Sequence, residues 1–174
     1  MEHVVVLGID KGLEADARLE RLVAEHQTKL ARYLRRFVSD RDLALDLTQD
    51  VFLAAHRTLR ADPARPLTGG WLYKTATNHA ISYLRKRKRR GDEQPLEEAG
   101  SAFRLDERSA QALDLQAALA SLAPEQLACV MLTAYAGYSS GEAALLLGLS
   151  APAVRQRVCR AMRTLRAALG TSGA

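Results

Sequence analysis

Gly148-Leu149-Ser150-Ala151-Pro152-Ala153-Val154-Arg155-Gln156-Arg157 decides how the rest of this chain is read. A helical apolar run stops at Gly148, a residue that tolerates positive φ, and Ser150 then stands where a helix cap is needed. Pro152 suits the first turn of the helix that follows. Val154, Val158, Ala161 and Leu165 recur at helical spacing as its inward stripe. Ala143, Ala144 and Leu147 can pack the helix before the turn. This is the sequence form of a helix-turn-helix, whose second helix can lie in a DNA major groove. Arg155, Gln156, Arg157 and Arg160 fall on its remaining surface, close to its N-terminal end. Arginine can bond guanine bidentately and glutamine can do the same to adenine. The plainer alternative is an αα-hairpin whose arginines form a solvated face.

Upstream of this motif, Pro124 suits the opening of a helix that Gly137 ends, and helical periodicity begins again at Leu115, Leu119 and Leu122. Between Gly91 and Asp114 the charge changes sign: seven acidic residues stand there against Arg104 and Arg108. Gly91, Pro95, Gly100 and Ser101 interrupt any helix in that stretch, which reads as an exposed acidic linker.

The N-terminal part carries three helical patterns. The first runs from about Ala17 to Val38, with Leu19, Leu22, Val23, Leu30, Tyr33, Leu34 and Phe37 on one face. Val4–Ile9 is too short for a membrane span or a signal peptide and reads as a loose extension. Ser39-Asp40-Arg41-Asp42 resembles a capping sequence for a second helix reaching about Leu59. Pro63, Pro66, Gly69 and Gly70 mark a surface loop, and a third helix starts near Thr68–Trp71.

On the third helix, Lys74, Asn78, Ser82 (or Ile81) and Arg85 follow one another along one polar face, which runs into the basic stretch Arg85–Arg90. Cations hold phosphates and an amide can read a base, so this strip suits nucleic acid. An extruded base could sit beside the Pro63–Gly70 loop. The alternative for the basic run is a solubilising tail. On the second helix, Asp42, Asp46, Gln49, Asp50 and Leu53 share a face, with Phe52 at its margin. DNA would repel that stripe, so it suits a basic protein surface with Phe52 and Leu53 as apolar anchors, unless it is simply solvated.

The whole chain has 174 residues and a net charge of +5, few aromatics and abundant Ala and Leu, which favours helices and an anionic partner. Cys129 and Cys159 form no C-x-x-C pair and read as reduced core or near-core thiols of a cytoplasmic protein. The four histidines have no ligand spacing, so no metal or cofactor is expected. No residue constellation suggests catalysis, so an enzyme is not expected.

Three stretches in order, Asp42–Leu53, Trp71–Arg85 and Tyr138–Arg166, give a chain that resembles the extracytoplasmic-function (ECF) subgroup of bacterial sigma-70 family RNA polymerase sigma factors from about Leu19 to Leu169. It departs from the family at Ser82, where an acidic residue is common, and at Ala143, where an aliphatic residue is frequent. The resemblance implies an all-α protein of two small helical domains: domain 2 over 14–91, a flexible acidic linker over 92–109, and domain 4 over 110–170. It implies that Asp46, Gln49, Asp50, Phe52 and Leu53 grip core RNA polymerase. Lys74, Asn78, Ser82 and Arg85 would engage the −10 element of promoter DNA, and Arg155, Gln156, Arg157 and Arg160 the −35 element. It also implies control by an anti-sigma factor. The rival reading is a stand-alone helix-turn-helix regulator, which predicts tight duplex binding by the protein alone and a palindromic site.

Overall fold

The structure, a computed structural model, describes the backbone of residues 2–90 and 110–170 and the side chains of residues 12–90 and 111–170. The described residues form seven α-helices and one π-helical turn, without a strand. They are α1 (Glu2–Arg35), α2 (Arg41–Ala61), α3 (Gly69–Arg90), α4 (Ala110–Ala120), α5 (Pro124–Val130), α6 (Ser140–Leu147) and α7 (Ala151–Gly170), with the π turn at Met131–Tyr135. The expected linker over 92–109 lies outside the described residues. The backbone at Val4–Ile9 is the start of α1, not a loose extension, since the helix opens at Glu2 and not near Ala17.

Helices α1, α2 and α3 make the first module because each offers an apolar stripe at helical spacing. Leu30, Tyr33, Leu34, Val51, Ala55, Leu59, Leu72, Ala76 and Ala80 are wholly buried between them. Asp40 starts α2 as its side chain accepts from the backbone N–H groups of Asp42 and Leu43, at 2.8 and 3.3 Å. Arg18 of α1 donates to the carbonyls of Pro63 and Arg65, and so fastens the loop before α3 to the module.

One polar chain crosses this core. The Tyr33 hydroxyl donates to Thr77 Oγ1 at 2.6 Å, and Thr77 donates to the Tyr73 carbonyl at 2.6 Å. Tyr33 and Thr77 are both fully buried, and burial pushes the Tyr33 phenol above its usual pKa. Thr77→Val keeps the shape but leaves the Tyr33 hydroxyl without its acceptor. The expected loss is about 1–3 kcal/mol of stability, measured by urea unfolding.

In the second module, Leu127, Cys129, Leu132, Ala143, Val154 and Ala161 build a core shared by α5, the π turn, α6 and α7. Ser139 caps α6 reciprocally: its Oγ accepts from Glu142 N at 3.2 Å, and Glu142 Oε2 accepts from Ser139 N at 2.8 Å. Gly148 ends α6 at φ 65° and ψ 38°, in the left-handed region where a Cβ is strained. Ser150 Oγ then accepts from Ala153 N at 3.3 Å and opens α7. The sequence predicts a simple helix ending at Gly137. The chain reaches that glycine instead through the π turn, and Gly137 itself takes φ 79°. Cys129 is buried, whereas Cys159 is exposed and is not part of the core.

The two modules touch. Helix α3 packs against α5 and α6. Tyr73 meets Tyr138 edge-on with ring centroids 5.8 Å apart, and Tyr33 lies 6.1 Å from Tyr135. Gln116 of α4 donates to the Arg35 carbonyl at 3.3 Å.

Candidate nucleic-acid and polymerase interfaces

The acidic face of α2 is a consequence of helical periodicity. Ala44, Leu47, Thr48, Val51 and Ala55 are buried, which turns Asp42, Asp46, Gln49, Asp50 and Leu53 outward. Leu53 is 50% exposed, an apolar side chain held among carboxylates. Phe52 is placed differently from an exposed anchor: it is 8% exposed and belongs to the core. Its edge still lines a groove of about 520 Å³ between α1 and α2, together with Leu19, Val23, Leu45, Gln49 and Leu53. The stripe is therefore acidic at its crest and apolar along one flank. A basic helix with an apolar edge would match both.

On α3, burial of Leu72, Ala76 and Ala80 leaves Lys74, Asn78, Ser82 and Arg85 exposed in a row. Their spacing is about one turn, so the polar strip is continuous and leads into the basic last turn. Lys74, Asn78 and Ser82 face solvent. Arg85 is engaged: its Nε and Nη2 both donate to Glu125 Oε1, at 2.9 and 2.6 Å. The strip before it begins beside the second module, because the backbone at Gly70 lies against Tyr138 and Leu146.

On α7, Arg155, Gln156 and Arg160 are exposed on the face opposite Val154, Ala161 and Leu165. These three sit within the first three turns, where a recognition helix meets base edges. Arg157 does not join them. It is only partly exposed, lies beside Glu125 and Cys129, and its Nη1 is buried without a hydrogen-bond partner. Helical geometry explains this, since Arg157 stands three residues after the wholly buried Val154 and shares its side of the helix.

Glu125 escapes sequence reasoning because a lone glutamate after a helix-opening proline reads as a first-turn residue with no further role. Its carboxyl is nevertheless pulled below the usual range, against a burial that works the other way, by the hydrogen bond and charge of Arg85 and by the charge of Arg157. The tyrosines escape it for a different reason: Tyr73, Tyr135 and Tyr138 meet across modules that are far apart in sequence. No helix among the described residues is long and apolar enough to cross a membrane.

Comparison with known proteins agrees with this geometry. Residues 22–90 match sigma-70 region 2, and residues 112–165 match sigma-70 region 4. The chain is 34% identical over 167 residues to the ECF RNA polymerase sigma factor SigL of Mycobacterium tuberculosis, covering 91% of this chain and 93% of SigL. It is 34% identical to the RNA polymerase sigma factor CnrH of Cupriavidus metallidurans, over 85% of this chain and 84% of CnrH. The solved structure of CnrH in complex with the cytosolic domain of CnrY superposes with a TM-score of 0.65 at 30% identity, covering 95% of this chain and 96% of that one. The sigma factor RpoE in complex with the anti-sigma factor NepR from Bartonella quintana shares the fold, with a TM-score of 0.68 at 24% identity over 87% and 96% of the two chains.

Proposed function

This chain belongs to the ECF group of sigma-70 family RNA polymerase sigma factors, and from that premise we propose that it binds core RNA polymerase and directs transcription to a particular set of promoters. The observation that carries the reading is the segregation of charge: an acidic ridge on α2 faces one way, and the α3 strip and the exposed start of α7 are cationic or amide-bearing. A protein that bound only DNA would have no use for that ridge. Asp46, Gln49, Asp50 and Leu53 supply the contact with the polymerase, and Phe52 supports the groove beneath them. Lys74, Asn78, Ser82 and Arg85 hold the opened −10 strand, and Arg155, Gln156 and Arg160 read the −35 groove, with Arg157 joining them once it turns outward.

The chain makes and breaks no bonds in this scheme. Promoter opening is driven by its affinity for the unpaired strand, and the polymerase performs the chemistry. It works in the cytoplasm, where the polymerase is. An anti-sigma factor restrains it, a proposal supported by the relative CnrH, solved in complex with the cytosolic domain of CnrY, and by the fold shared with RpoE, solved in complex with the anti-sigma factor NepR. We assign the two domains to 14–91 and 110–170; the matched regions, 22–90 and 112–165, fall inside these bounds.

Replacing Arg155 and Gln156 with Ala tests the −35 assignment. Removing each bidentate pair of hydrogen bonds is expected to weaken promoter recognition by about 1–3 kcal/mol. Transcription by the reconstituted holoenzyme on promoters with altered −35 bases should show relaxed preference at the positions those side chains touch. Unchanged preference would remove both residues from the site.

A further inference from the structure

The surface where the modules meet takes in Arg85, a side chain that the functional reading sends to DNA. Arg85, the last member of the α3 strip, gives two of its five donors to one oxygen of Glu125. Arg157, from the start of α7, is near enough for its charge to act on the same carboxylate, while its own side-chain hydrogen bond goes to Cys129. The first turn of α3 meets the second module at Gly70, beside Tyr138 and Leu146. Around this polar centre, Tyr73 stacks edge-on against Tyr138 and Tyr33 approaches Tyr135. A phosphate and the Glu125 carboxylate would occupy the same donors of Arg85, so the two interactions exclude each other.

We propose that Glu125 is an internal competitor for DNA: it holds Arg85 on its carboxylate, keeps the modules closed together with the tyrosine contacts, and must be displaced before the Arg85 guanidinium reaches the promoter. The inference rests on the sigma-factor reading for the role of Arg85, and on geometry for the closure. Closure costs little to reverse, because the Arg85–Glu125 pair is substantially exposed, with side-chain accessibilities of 59% and 38%. That suits a contact which must yield to a polyanion.

The test uses the full chain with Glu125→Gln, which keeps the side-chain volume and removes the charge, and Asp114→Asn, which removes an equal charge from an exposed position on α4. Small-angle scattering reads the separation of the modules. Fluorescence anisotropy reads affinity for a labelled mixed-sequence duplex and for its single strand. Glu125→Gln is expected to expand the chain and to tighten DNA binding about threefold to fivefold, the gain that releasing an exposed ion pair allows. Asp114→Asn should leave the dimensions unchanged and have a much smaller effect on affinity. Equal tightening by the two variants would overturn the proposal, since net charge alone would then explain it. Expansion without tightening would overturn it too. Tyr138→Ala provides a second, uncharged way to loosen the closure and should also expand the chain; thermal melting by circular dichroism verifies that each variant is folded. Association of the wild-type chain with core polymerase, measured alongside, tests the functional reading separately, because the scattering result does not depend on it.

Discussion

Reversing charge at Asp46 and Asp50 together, with Lys at both positions, is expected to abolish association with core RNA polymerase and leave the fold intact. Both side chains are exposed on α2, outside the core formed by Ala44, Leu47, Val51 and Ala55, so the substitution disturbs no packing. Removing one partner of a close interfacial charge pair costs about 2–5 kcal/mol, and reversal adds repulsion on top. The effect of two reversals on one ridge should therefore exceed a thousandfold, since each 1.4 kcal/mol is about tenfold. Co-purification with core enzyme measures it, with circular dichroism to verify helicity. Undiminished capture of polymerase by a folded double variant would show that the acidic ridge is only a solvated face.

The second large effect is on stability. Leu72 is wholly buried beneath the polar strip of α3, and the core there draws on α1, α2 and α3 together. Leu72→Ala removes three methylene-sized groups from a site where three helices meet and cannot easily collapse. The expected cost is about 2–5 kcal/mol, measured by denaturant unfolding. A domain of this size has roughly 5–15 kcal/mol in total, so the change is a large share of the whole. Binding to polymerase and to the −10 strand should then fall together, in proportion to the unfolded fraction. A variant of a functional face behaves otherwise, weakening one partner's binding and keeping its stability. A Leu72→Ala protein as stable as the wild type would mean that α3 is not seated on the core as described.

Much of this is legible in the residues themselves, and the reasons differ from element to element. The turn at Gly148 can be read because a left-handed residue, a capping serine and a first-turn proline are all local signals, each acting within a few positions. The acidic and polar faces of α2 and α3 can be read because helical periodicity assigns every residue to a side. Phe52 shows where periodicity loses precision: a residue at the margin of two faces is sorted by the neighbouring helix, and α1 claims it. Arg157 and Cys159 are the same lesson on α7, one turned inward and the other outward. The closure of the two modules is not legible at all. It depends on Tyr33, Tyr73, Tyr135, Tyr138, Arg85 and Glu125 meeting across stretches of forty residues and more, and no local pattern encodes such a meeting. The π turn at Met131–Tyr135 is equally silent, since one residue of extra winding leaves composition and spacing almost unchanged.

The central claim is that this chain lends promoter choice to an RNA polymerase that lacks it. Run-off transcription with purified core enzyme on a genomic promoter library tests that directly. Adding the chain should start transcripts at a defined subset of promoters sharing −10 and −35 elements, and core enzyme alone should start none of them. Identical transcripts with and without the protein, or tight binding to a palindromic duplex in the absence of polymerase, would contradict it.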